Sequence, residues 1–127
     1  MRLLLDTHVF LWFVAGDARL SRRARRTLDD SRAVLLLSAA SVWEMAIKAS
    51  LGRLTLPTTA GEYIAGKMKN GLQMLPIEWI HAAAVETLPA HHRDPFDRLL
   101  IAQAQLEECA IVSADPAFRQ YDVRVIW

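Results

Sequence analysis

Four carboxylates stand where a parallel α/β chain would gather them. Asp6 directly follows the apolar run Leu3-Leu4-Leu5, and Asp115 follows Ile111-Val112-Ser113-Ala114. Glu44 and Asp97 fall near the starts of two helical patterns, after Ser38-Ala39-Ala40-Ser41 and within Asp94-Pro95-Phe96-Asp97. In open parallel sheets, sites form outside the carboxyl ends of the strands, the edge where the following helices begin. All four groups are therefore expected on one rim. At ~5 Å and an effective dielectric near 20, two carboxylates repel by about 3 kcal/mol, so the six pairs sum to the order of 20 kcal/mol. A small domain has only ~5–15 kcal/mol of net stability. Such a cluster persists only with bound cations or shared protons. Oxygen donors without a dedicated His or Cys favour Mg²⁺, with Mn²⁺ as a substitute, over zinc or copper. Magnesium held by a few carboxylates activates water and neutralises a phosphate, which is what phosphoryl transfer requires.

Each acid also has a plainer local role open to it. Glu44 stands three residues after Ser41, the spacing of a capping box, and four before Lys48, the spacing of a helical ion pair. Asp94-Pro95 reads as a helix cap and first-turn proline, with Asp97 opposing the helix dipole, and Asp115-Pro116 repeats that pattern. Asp6 fits a strand-end turn. Thr7 and Ser113 can cap or, beside Asp6 and Asp115, orient a metal-bound water. His8 and His81 read as hydrogen-bonded structural residues, and His91-His92 as a solvated loop close enough to Asp94 to touch a substrate.

The elements that must position these groups alternate in type. Leu3–Leu5, Val34–Leu37, Leu72–Leu75, Ala110–Val112 and Val123–Ile126 are short apolar runs, as in strands buried on both faces. Helical patterns lie between them at Ser21–Ser31, Ser38–Leu51, Ala60–Asn70, Glu78–Leu88 and Pro95–Glu108, with a first helix carrying His8. Gly16-Asp17 and Pro89 to Arg93 read as loops, and Leu56-Pro57-Thr58 as an extended connection. Alternating strands and helices predict a doubly wound α/β sandwich with a mainly parallel sheet. No repeat or linker breaks the 127 residues, so one domain over 1–127 is expected.

Composition removes several classes. With 53% hydrophobic and 23% charged residues the chain is neither disordered nor collagen-like. A net charge of +1 excludes a bulk polycation that coats nucleic acid by charge alone. One cysteine allows no internal disulfide and no Cys-rich zinc site, and a reducing cytoplasm is the expected compartment. No apolar run approaches the ~20 residues of a membrane span, and Asp6 ends the opening apolar run, so neither a span nor a signal peptide is expected. A Gly-rich loop with Lys and a Gly-x-Ser-x-Gly elbow are both missing, and Cys109 reads as a buried thiol.

At these residues the sequence resembles the PIN-domain ribonucleases, and most closely the VapC toxins of type II toxin–antitoxin pairs. The resemblance is carried by LLLDTHVFLW at 3–12, LSAASVWEMAIKASLGRL at 37–54, HHRDPFDRLLIAQA at 91–104 and IVSADPAF at 111–118. It is thin from Leu54 to Trp79. It implies a PIN-like three-layer sandwich with a mainly parallel five-stranded sheet flanked by helices, and a Mg²⁺-dependent endoribonuclease. The acidic site maps onto Asp6, Glu44, Asp97 and Asp115, with Asp6, Asp97 and Asp115 holding the metal and Asp94 capping the helix that shapes the site. Ser113 stands where many relatives have Thr, which keeps the hydroxyl. The resemblance also implies a homodimer inhibited by a VapB-like antitoxin whose tail lies across the acidic groove.

RNA must be steered toward a negative pocket. With the four site acids set aside, 15 positive side chains face 10 negative ones. Arg93 and Arg98 flank the Asp94–Asp97 segment and are the nearest candidates for phosphate contacts. Arg19, Arg22, Arg23, Arg25, Arg26 and Arg32 form a second basic span, read equally as phosphate-binding or as a solvated helix face. Trp12, Phe13, Trp43 and Trp79 are expected mostly in the core or a dimer surface. Two other readings remain: a non-catalytic RNA-binding PIN scaffold, and a phosphoacceptor receiver domain. The receiver needs an early adjacent acidic pair and a late Lys, whereas Asp6 is followed by Thr7-His8 and the lysines are Lys48, Lys67 and Lys69.

Overall fold

The computed structural model describes residues 1–127. In chain order it holds β1 (Arg2–Leu5), α1 (Thr7–Ala15), α2 (Arg22–Asp29), β2 (Val34–Ser38), α3 (Ala39–Ser50), α4 (Ala60–Lys69) and β3 (Gln73–Leu75). Then follow α5 (Trp79–Ala84), continued by a 3-10 turn at Val85–Thr87, α6 (Pro95–Glu107), β4 (Ala110–Val112), a 3-10 turn at Pro116–Gln120, and β5 (Val125–Ile126). The strands make one five-stranded sheet in the order β3-β2-β1-β4-β5. Every pairing in it is parallel.

Because successive strand residues point to opposite faces, a strand covered on both sides must be apolar throughout. β1 shows this directly: Leu3 and Leu5 join a core with Val9, Phe10, Leu37, Met45 and Val112. Leu4 enters the opposite core with Leu36, Leu100, Ile101, Ile111 and Phe118. The first face is covered by residues of α1 to α4, the second by α6 and the turn at Phe118, giving the three-layer sandwich that the sequence predicts.

The order 3-2-1-4-5 sets a switch point. From β1 the chain proceeds through β2 to β3 on one side; from β4 it turns outward to β5 on the other. The crevice beyond the carboxyl ends of β1 and β4 is where ligands enter such sheets. Asp6 leaves β1 there, and Ser113 leaves β4 beside it; the Asp6 N–H donates to the Val112 carbonyl at 3.1 Å.

Helix ends fix the approach to this edge. α1 stops at Gly16, whose φ of 65° is the left-handed conformation that glycine adopts without steric cost. α6 also ends left-handed, but on Glu108 at φ 55°, where a side chain carries strain. Two expected elements are shorter than their patterns. The helix expected over Glu78–Leu88 tightens to a 3-10 turn after Ala84, and the last strand pairs only over Val125–Ile126 after a turn in which the Val123 N–H bonds the Tyr121 carbonyl.

Candidate active site

The four carboxylates come from four separate segments and line one open cavity of about 580 Å³, with Asp94 as a fifth acid and Lys48, Arg19, His8 and Trp12 on its wall. Asp6 is the deepest, 7% exposed, and its Oδ2 accepts from the Ser113 hydroxyl at 2.7 Å. Ser113 Oγ in turn accepts from the Asp115 N–H at 3.1 Å, so one hydroxyl ties the ends of β1 and β4 together. Burial raises the Asp6 carboxyl above its ordinary range, while the Ser113 bond and the nearby His8 oppose that rise.

Asp94 caps α6 as the sequence predicts, accepting from the Phe96 and Asp97 N–H groups at 2.9 and 3.1 Å with Pro95 in the first turn. That cap delivers Asp97 to the cavity. Asp97 is pushed up to about 8, first by burial and then by the charges of Asp94, Asp6, Glu44 and Asp115. One carboxyl therefore carries the electrostatic signature of the whole cluster. Asp115 accepts from the Ala117 N–H at 2.9 Å, capping its turn while its carboxylate stays exposed.

The capping-box reading of Ser41 and Glu44 is corrected by the structure. α3 springs directly from β2, so Ser38 is its cap, accepting from the Ala40 N–H at 3.0 Å. Ser38 also donates to Gln103 Oε1 at 2.6 Å, joining α3 to α6. Ser41 lies a turn inside the helix and accepts the Thr7 hydroxyl at 2.8 Å. Thr7 thus pins α1 to α3 rather than facing a metal-bound water. Glu44, freed from capping, is 9% exposed and bonds Lys48 Nζ at 2.7 Å, the expected ion pair.

Of the phosphate candidates, Arg93 is exposed and precedes the cavity-lining Asp94, but Arg98 is committed to the protein interior. Its guanidinium donates to the carbonyls of Val85, Leu88 and Pro89 at 3.2, 3.3 and 2.8 Å, and to the Tyr121 hydroxyl at 3.3 Å. Those carbonyls lie where α5 and its 3-10 turn end, so Arg98 staples that loop to α6. From the basic span, Arg19 reaches the cavity wall, held by Asp17 at 2.7 Å and lying 5.2 Å from the Trp12 ring. Arg32 pairs with Asp30 at 2.9 Å instead. His81 is the structural residue expected, buried and accepting the Glu78 N–H at 2.9 Å, whereas His8 is exposed on the cavity wall. Trp43 and Trp79 are 60% and 80% exposed, so neither is core; Trp43 meets Phe96 edge-on at 5.3 Å.

One site residue was hidden in the loop reading. His92 turns inward and sets Nε2 3.5 Å from Asp97 Oδ2. Two adjacent histidines ahead of a cap do not say which one turns in; both rings meet Tyr121, but only His92 hydrogen-bonds its hydroxyl.

The donor set suits a hard divalent cation, being all carboxylate oxygen. In this arrangement, however, no three acidic or histidine groups close on a single point. Asp6, Glu44, Asp94 and Asp115 each spend an oxygen on a neighbour within the chain. Asp97 is raised first by burial and then by its acidic neighbours, and the second of these is what a cation would relieve.

A parallel five-stranded sheet with an acidic cleft at its switch point describes a PIN-type architecture. The PIN domain family model matches residues 3–124, and the chain belongs to that family, which sets aside the receiver alternative. Ribonuclease VapC16 of Mycobacterium tuberculosis is 38% identical over 71 residues, 55% of this chain and 49% of that protein, so the match spans about half of the relative's length. Among solved structures, VapBC2 from Rickettsia felis, bound to a DNA fragment from its promoter, superposes with a TM-score of 0.73 at 11% identity, covering 98% of this chain and 97% of that one. DNA-bound VapBC from Salmonella typhimurium gives 0.67 at 17% identity over 98% and 96% of the two chains. FitAcB from Neisseria gonorrhoeae gives 0.66 at 19% over 97% and 95%. These likenesses establish the fold.

Proposed function

We propose that the chain is a Mg²⁺-dependent endoribonuclease, the toxin of a type II toxin–antitoxin pair, which hydrolyses RNA phosphodiester bonds. The carrying observation is the cavity itself. Four acids separated in sequence line one cleft, and burial first, then the charges of its acidic neighbours, push Asp97 up to about 8. The family membership and the partial identity to a ribonuclease support the same reading.

Asp6, Asp97 and Asp115 would hold Mg²⁺, or Mn²⁺ in its place, directly or through water. When bound, the ion supplies water activation and neutralises the charge developing on the phosphate. Glu44 orients the attacking water or takes its proton, with Lys48 fixing its second oxygen. Ser113 keeps Asp6 aimed across the cleft. Arg19 on the cavity wall, and exposed Arg93 next to Asp94 in the chain, offer positive charge to the phosphates. Hydrolysis by a water activated in this cleft would leave a 5′-phosphate and need no substrate 2′-OH.

A VapB-like antitoxin is the proposed partner, supported by structural neighbours that are toxin–antitoxin complexes; a homodimer is the proposed state of the toxin. No helix is long and apolar enough to cross a membrane. The second reading, an RNA-binding scaffold without cleavage, draws on the carboxylates being turned to neighbours within the chain.

Incubating the protein with RNA, in Mg²⁺, in EDTA and as Asp6→Asn, separates the two. Losing several kcal/mol of metal stabilisation predicts a loss of about 100-fold or more in either control. Cleavage unaffected by both, or products ending in 2′,3′-cyclic phosphate, would reject the metal mechanism. Binding without cleavage would favour the scaffold.

A further inference from the structure

His92 Nε2 is the single buried side-chain nitrogen or oxygen that lacks a hydrogen-bond partner. It faces Asp97 Oδ2 at 3.5 Å, just beyond bonding distance. The ring's other nitrogen, Nδ1, lies 2.8 Å from the Tyr121 hydroxyl oxygen.

Counting donors decides which nitrogen carries the hydrogen. A tyrosine hydroxyl has one proton to give and room to accept. Tyr121 accepts the His92 backbone N–H at 3.3 Å and an Arg98 Nη1–H, also at 3.3 Å. Arg98 cannot easily withdraw, because three more of its donors are fixed on the carbonyls of Val85, Leu88 and Pro89. With its acceptor sites filled, the hydroxyl is left to donate, and His92 Nδ1 is the acceptor within reach. An accepting Nδ1 places the hydrogen of a neutral imidazole on Nε2. That is the atom facing Asp97.

We propose that Tyr121 locks His92 as the Nε2–H tautomer, and that His92 is a positioning residue which holds Asp97 Oδ2 so that Oδ1 is left for a divalent cation. The role rests on the reading of Asp97 as a metal ligand given above. It explains the orphaned nitrogen: the bond closes when the carboxylate turns toward a cation. It also gives Arg98 its part, two steps removed from the cleft.

Two measurements test this. Ring ¹⁵N shifts of metal-free protein in mildly alkaline buffer should show His92 protonated at Nε2 and bare at Nδ1. Tyr121→Phe, which keeps the ring packed, should abolish that preference. A wild-type ring protonated at Nδ1 overturns the proposal. Calorimetric Mn²⁺ titration then reads the consequence, and losing a group that orients a ligand costs about 10- to 100-fold in affinity. His92→Ala should weaken Mn²⁺ binding by that amount. His92→Gln, whose amide N–H can stand in for Nε2–H, should recover most of it, and His92→Asn should not. Unchanged affinity in a folded His92→Ala overturns the positioning role alone. No Mn²⁺ uptake by the wild type overturns the cation reading of the whole cleft, and the role of His92 with it.

Discussion

The Ser113 hydroxyl donates to Asp6 Oδ2 at 2.7 Å, a buried bond between residues 107 positions apart. It closes the floor of the cleft between β1 and β4. Ser113→Ala leaves that oxygen unsatisfied beneath the sheet edge, and a buried bond to a charged group contributes about 1.5–3 kcal/mol. Urea denaturation should show a loss in that range. Mn²⁺ binding should also shift to higher pH, because the bond that lowers the Asp6 carboxyl is gone. Ser113→Thr keeps the hydroxyl and should preserve both properties.

Asp97 gives the metal-free protein a pH dependence of definite sign. Its carboxyl titrates at about 8 in the fold and near 3.8 when exposed. Between those values the folded chain binds the proton more tightly, so stability falls as pH rises from about 4 to 8. Below that window the contribution vanishes, and above it the penalty is constant. Thermal melts in EDTA should show Tm declining across the window, with a flatter profile for Asp97→Asn. Mn²⁺ uptake near neutrality should release a proton, measurable as a buffer-dependent heat in calorimetry.

Much of this site was legible in the sequence because its signals are local. An acid after an apolar strand, and Asp-Pro ahead of a helix, reveal their places without knowledge of the fold; Asp6, Asp94 and Asp115 are of this kind. Glu44 was placed in the cleft while its cap was misjudged. Ser38 and Ser41 both offer a hydroxyl at a plausible start, and only the abrupt passage from β2 to α3 chooses between them. Arg98 and His92 were misread for a different reason. Their partners, the carbonyls around Val85–Pro89 and the Tyr121 hydroxyl, come together only when the chain closes.

The Asp94 cap separates structural from electrostatic effects. Asp94→Ala removes an N-cap and should cost about 1 kcal/mol. Asp94→Asn keeps the cap and removes only the charge, so the cost of a lost cap should not appear. In both variants Asp97 should titrate lower, since Asp94 is the first among its charged neighbours. Following the Asp97 carboxyl carbon by NMR during a pH titration checks the shift.

Glu108 ends α6 at φ 55° with a side chain in a region that glycine occupies freely. Glu108→Gly relieves that strain and should raise stability by about 0.5–1 kcal/mol, read in a urea titration, with no change at the cleft.

The central strand β1 holds the first residues of the sheet, yet one of its two neighbours is β4, contributed by residues 110–112. A nascent chain leaving the ribosome from its amino end carries Asp6 out early and Ser113 late. Until β4 arrives, one edge of β1 is unzipped and the cleft has no far wall. The acidic cleft is therefore latent in any fragment of the chain that stops short of β4, however well its earlier elements fold.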